Sequence, residues 1–176
     1  MTETLPDLLL IGCGKMGGAM LAGWLERGFS RAVVVEPHPA AAAAFAGRAE
    51  IVARPEAIPA GFTPAAVVLA IKPQDAEATL PAYARFAGGG ALFVSIMAGR
   101  SVASMRGALG AQAAVVRAMP NTPAAVRQGF TAAYAAPGVT PAQKGLAEAL
   151  LQAVGEVAWV EEEDQINTIT AVSGGG

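Results

Sequence analysis

The chain has 176 residues, 14 acidic and 12 basic side chains, 53% hydrophobic residues and 15% charged ones. That length is one domain's worth, and a chain so apolar and so poor in charge is not a disordered one. A formal charge of -2 with no basic block argues against a nucleic-acid binder, which needs a cationic face to displace counterions.

The mean hydropathy is +0.44. Even so, no apolar stretch approaches the roughly 18 residues of a membrane span, so no membrane association is expected. The opening MTETLPDLLLIG has two acids and no basic residue, unlike a signal peptide. One cysteine cannot form an internal disulfide. A cytoplasmic setting is the expectation.

In chain order, Leu8 to Ile11 is a short apolar run ended by glycine, as in a strand buried on both faces. A helical pattern follows, with Met16, Met20, Leu21, Trp24 and Leu25 at spacings of three and four, closed by Gly28. Val33 to Val35 is a second buried strand, ending at Glu36-Pro37. Pro39 to Ala46 is an alanine-rich helix with proline in its first turn. Val67 to Ile71 is a strand ended by Lys72-Pro73. Gln74 to Phe86 is a helix that Pro81 must kink or restart.

After a glycine turn, Leu92 to Ile96 is a strand. Ser101 caps a helix running to Leu109. Ala114 to Met119 is a strand running into Pro120-Asn121-Thr122-Pro123. Phe130 to Ala135 is a further strand, Thr140 caps a helix over Pro141 to Val154, and Val157 to Val160 is a last strand. Asp164 caps a final helical stretch, Gln165 to Val172. Strands alternating with helices predict an α/β fold, a doubly wound, mainly parallel Rossmann-type sheet with helices on both faces. Residues 1–164 are expected to form this α/β domain, and 165–176 to begin a connection onward.

Gly12, Gly14 and Gly17 spell G-x-G-x-x-G between the first strand and the first helix. The first glycine permits the tight turn, the second lets backbone approach a pyrophosphate, and the third lets helix and strand pack closely. The amides at the helix start favour a phosphate anion. Glu36, at the tip of the second strand, is placed to accept the adenine-ribose hydroxyls, which favours NAD and repels the 2′-phosphate of NADP. His38 lies at the adenine end and is read as a loop residue rather than a catalytic one.

The loops at Lys72-Pro73, Met97-Ala98-Gly99 and Met119 to Pro123 all follow strands, on the edge where such sheets bind ligands. Asn121 and Thr122 offer an amide and a hydroxyl suited to a carboxamide or a small polar substrate. One histidine cannot build a Ser-His-Asp triad, and no His/Cys cluster suits a metal. Cys13 is a small filler in the turn. Hydride transfer remains, and it needs positioning more than side-chain chemistry.

Four segments resemble the pyrroline-5-carboxylate reductases: IGCGKMGGAMLAGWL (Ile11 to Leu25), LAIKPQ (Leu69 to Gln74), RAMPNTPAAVRQGFTA (Arg117 to Ala132) and ITAVSGGG (Ile169 to Gly176). The M-P-N-T-P loop is the most specific. The resemblance implies hydride transfer from NADPH or NADH to the C=N carbon of 1-pyrroline-5-carboxylate, giving L-proline. It implies cofactor contacts at Gly12, Cys13, Gly14, Lys15 and Met16, at Glu36, at Ala70, Ile71, Lys72 and Pro73, and at Ile96, Met97 and Ala98. Asn121, Thr122 and Pro123 would shape the nicotinamide end. Ser173, Gly174 and Gly175 would begin the loop that binds the substrate carboxylate. No side-chain acid or base is identified.

Many members of that family prefer NADPH and carry a small polar or basic residue where this chain has Glu36. The family also continues into a helical domain that forms a homodimer or larger homo-oligomer and completes the substrate pocket. The expectation is that residues 1–176 bind cofactor and do not reduce the imine alone. Two other readings are a β-hydroxyacid dehydrogenase relative, whose V-S-G-G loop should come earlier than Val172, and a dinucleotide-binding module without catalysis.

Overall fold

The computed structural model describes residues 6–28, 31–120 and 129–173. Eight strands form one sheet: β1 (Leu8–Ile11), β2 (Ala32–Val35), β3 (Glu50–Val52), β4 (Ala66–Leu69), β5 (Leu92–Ser95), β6 (Ala114–Pro120), β7 (Gly129–Ala135) and β8 (Gly155–Trp159). Their spatial order is β3-β2-β1-β4-β5-β6-β7-β8. From β3 to β6 every pair is parallel. Such strands are covered on both faces and so read as unbroken apolar runs.

Alternate residues feed two cores. Leu8, Leu10, Val34, Val68, Val94 and Val116 point to one, and Leu9, Ile11, Val33, Val67, Leu69 and Phe93 to the other. The first core holds helix α1 (Lys15–Arg27) through Met20, Leu21 and Trp24, and helix α6 (Pro141–Leu151) through Leu150 and Leu151. The second holds Leu80, Tyr83 and Phe86, and Met105 and Leu109 of helix α5 (Val102–Leu109). Thr140 and Gln143 close a reciprocal capping box on α6, and Ser101 accepts the Ser104 N–H on α5.

Several expectations are corrected. The three-residue strand β3 went unpredicted because a segment that short, half-exposed on the sheet edge, carries little periodicity. The segment after β4 is not one helix. It is a chain of single turns, with helices α3 (Ala76–Thr79) and α4 (Ala84–Gly88) separated by a 3₁₀ turn around Pro81, because proline withholds an N–H. Helix α2 covers only Pro39–Ala42 before a 3₁₀ turn. Helix α7 (Glu163–Ser173) starts at Glu163, so Asp164 lies in its first turn rather than capping it.

The last two strands also break the parallel pattern. β7 runs antiparallel to β6, and β8 then runs parallel to β7. Too few residues separate Pro120 from Gly129 for a parallel crossover, which needs a dozen or more.

Candidate functional site

The chain leaves β1 toward β2 on one side, and leaves β4 toward β5 on the other. These neighbours form the topological switch point, where an open α/β sheet leaves a crevice beyond its strand ends. Gly12 follows β1 and Ala70 follows β4, and the two loops touch. A Cβ on Gly12 would stand 2.5 Å from the Ala70 carbonyl oxygen, and Gly12 has φ +93°. A Cβ on Gly17 would stand 2.5 Å from the Gly12 carbonyl oxygen. Gly14, the N-cap of α1, has nothing within 4 Å of its Cβ position. Two glycines are therefore demanded by close packing, while the third leaves a bare patch of backbone facing open space at a helix start.

Glu36 is nearly buried, with 7% of its surface exposed. Its Oε1 accepts the Cys13 N–H at 2.7 Å, and its Oε2 accepts the His38 N–H at 3.0 Å. The carboxylate thus ties the tip of β2 to the glycine turn. Burial, and then the neighbouring Glu36, push the Cys13 thiol up from its ordinary value. With its side chain buried in the first core, Cys13 is packing and not a nucleophile.

A cleft of about 730 Å³ opens on these loops. Gly12, Gly14, Glu36, Ala70, Ile71 and Lys72 of the expected residues line it together, and His38 borders it beside Glu36. The other expected residues do not. Lys15 is exposed on the first turn of α1, and Met16 packs on the first core. The Pro73 carbonyl accepts the Arg100 guanidinium at 2.8 Å. Ile96 packs on the first core. Met97 has its side chain in the second core and its N–H on Ser95 Oγ. Ala98 is half-buried beside it. Asn121, Thr122, Pro123, Gly174 and Gly175 lie outside the described residues, and Ser173 is the last residue of α7.

Several cleft residues were missed. Arg54 and Glu56 follow the unpredicted β3, and Thr79 and Tyr83 come from the broken turns after β4. Recognising β3 would have placed Arg54 on the ligand edge. Nothing local marks Tyr83. A second missed group is an ion pair: Arg117 Nη1 lies 2.8 Å from Glu163 Oε2, and the same oxygen accepts the Val102 N–H at 2.7 Å. It joins β6, α5 and α7 at the same sheet edge.

A glycine turn open at a helix N-terminus, a carboxylate at the β2 tip and a cleft onto which both open are the kind of parts a dinucleotide site uses. The model of the family described as "NADP oxidoreductase coenzyme F420-dependent" matches residues 8–99. The pyrroline-5-carboxylate reductase of Pseudomonas aeruginosa is 39% identical over 97% of this chain and 63% of its own length. The chain thus spans somewhat under two thirds of the curated relatives it matches. The solved pyrroline-5-carboxylate reductase of Coxiella burnetii superposes with a TM-score of 0.87 at 30% identity, over 96% of this chain and 64% of that one. The Plasmodium falciparum pyrroline carboxylate reductase, solved with NADP bound, shares the fold with a TM-score of 0.78 at 21% identity, over 99% and 63%.

Proposed function

This chain belongs to the family described as NADP oxidoreductase, coenzyme F420-dependent, and from that premise we propose that it is the dinucleotide-binding part of a pyrroline-5-carboxylate reductase. The observation that carries the reading is the switch-point cleft, in which Gly14 bares its backbone while Gly12 and Gly17 are packed against Ala70 and against each other. The likeness to the Pseudomonas aeruginosa and Coxiella burnetii reductases supports the substrate. Residues 1–164 form the cofactor domain, and residues 165–176 lead toward the substrate.

The bound nicotinamide supplies a hydride to the imine carbon of 1-pyrroline-5-carboxylate. The work of the chain is placement. The open N-terminus of α1 holds the pyrophosphate with backbone N–H groups. Glu36, braced by the Cys13 and His38 amides, meets the adenine ribose. Its charge opposes a 2′-phosphate, so the chain favours NADH over NADPH. Pro73, fixed by Arg100, holds the loop after β4 against the cofactor. Asn121, Thr122 and Pro123 shape the nicotinamide end, and Ser173, Gly174 and Gly175 begin the carboxylate-binding loop.

Titrating the chain with NADH and NADPH and following cofactor fluorescence tests the reading. Binding of NADH with the lower Kd is expected. Failure to bind either dinucleotide overturns the assignment, and a lower Kd for NADPH overturns the role given to Glu36. Substrate identity is tested by NADH consumption with 1-pyrroline-5-carboxylate, using this domain within a full-length reductase.

A further inference from the structure

Tyr83 is 1% exposed, yet it borders the cleft. Its ring sits in the second core and stacks on Phe86, with centroids 6.5 Å apart. Its hydroxyl has no hydrogen-bond partner among the described residues. No fully buried side-chain nitrogen or oxygen among those residues lacks a partner. The unpartnered hydroxyl is therefore the atom that the cleft exposes, on a side chain enclosed everywhere else. Buried hydroxyls are ordinarily satisfied, so one bordering a cleft without a partner points to a ligand.

Glu56, on the turn after β3, lines the same cleft. Burial, and then the Glu56 charge, push the Tyr83 phenol up to about 12, with Arg85 pulling the other way. The phenol therefore keeps its proton at neutral pH and is a donor in the same cleft as the Glu56 carboxylate, an acceptor. Pro55, Ile71, Ala78 and Ala82 supply apolar walls. Gly14 and Glu36 occupy the phosphate and ribose positions of the same cleft, which leaves this donor–acceptor pair for the base.

Adenine presents an acceptor at N1 next to an amino donor at N6, the complement of that pair. Resting on the dinucleotide reading above, we propose that Tyr83 and Glu56 read the hydrogen-bonding edge of the cofactor's adenine. Tyr83 Oη donates to N1, and Glu56 accepts from the N6 amino group. A polar site of this kind rejects a base of reversed polarity, because its own groups would be left unpaired or facing like charge.

The test compares NADH with reduced nicotinamide hypoxanthine dinucleotide, which carries oxygen at C6 and N–H at N1. Isothermal titration of the wild-type chain should show NADH binding about 10-fold tighter, and Tyr83→Phe should weaken NADH about 5-fold, the worth of a hydrogen bond or two. Glu56→Gln, on the exposed rim, should shrink the preference toward unity because its amide can face either base. Equal affinity of the wild type for both dinucleotides, wild-type NADH affinity in Tyr83→Phe, or an unchanged preference in Glu56→Gln overturns the proposal while leaving the dinucleotide reading intact. A wild-type chain that binds neither NADH nor NADPH overturns both, and so separates the two failures.

Discussion

Glu36 Oε1 accepts the N–H of Cys13, 23 residues earlier, at 2.7 Å. One carboxylate therefore both lines the cleft and ties down the glycine turn. Glu36→Ser should act twice. Losing the acceptor leaves the buried Cys13 amide unpaired, a cost of about 1 to 3 kcal/mol, read as a lower urea midpoint. Losing the charge should raise the NADPH-to-NADH affinity ratio about 10-fold. An unchanged ratio would show that the carboxylate is a brace only.

The three glycines of the turn should separate by phenotype. Gly12→Ala and Gly17→Ala each drive a Cβ to 2.5 Å from a carbonyl oxygen, and Gly12 also has positive φ, so each should cost about 3 kcal/mol. Gly14→Ala meets nothing within 4 Å. It should keep stability within about 1 kcal/mol yet weaken dinucleotide binding at least about 10-fold, since its methyl occupies the patch proposed for the pyrophosphate. Thermal melts paired with NADH titrations decide this, and normal binding by Gly14→Ala would move the phosphate site elsewhere.

Two ion pairs of nearly equal length should differ in worth. Arg31 and Glu50 meet at 2.7 Å, with both side chains more than 40% exposed. Arg117 and Glu163 meet at 2.8 Å, with Arg117 only 3% exposed. Breaking the first should change stability by less than about 1 kcal/mol. Glu163→Ala strands a buried guanidinium and also frees the Val102 N–H, and should cost about 3 kcal/mol. Guanidinium chloride denaturation of the two alanine variants compares them directly, and equal losses would contradict the burial argument.

Tyr83 should make the fold alkali-sensitive. Its folded value of about 12 lies above the ordinary 10. An acid raised in the folded state contributes stability that is fully present below pH 10. That stability drains as pH rises toward 12, because the unfolded chain loses the proton first. The loss approaches about 2 to 3 kcal/mol across the window. Unfolding free energies at pH 9, 10 and 11 should fall more steeply for the wild type than for Tyr83→Phe. Parallel slopes would place the tyrosine in a less enclosed setting.

Much of this molecule is legible from its residues. Leu8 to Ile11, Val33 to Val35 and Leu92 to Ser95 announce buried parallel strands because both faces are covered, so no polar alternation interrupts them. Gly12 and Gly17 announce the tight strand-to-helix turn, since close backbone packing there leaves no room for a Cβ. Thr140 with Gln143, and Ser101, announce caps.

The rest is decided in three dimensions. Glu50 to Val52 is a strand only because β2 offers it an edge to pair with. The reversal at β7 follows from how little chain is available to turn back. Arg117 and Glu163 lie 46 residues apart, and nothing near either one marks the other. Tyr83 reads as one more core aromatic, and only the folded chain sets its ring in the core while the residue also lines the cleft, as Glu56 does. Sequence by itself determined the sheet's type and the glycine turn after its first strand, because both rest on local chemistry along the chain. Tertiary structure alone decided which side chains line the far end of the cleft, because that wall is assembled from turns that follow different strands.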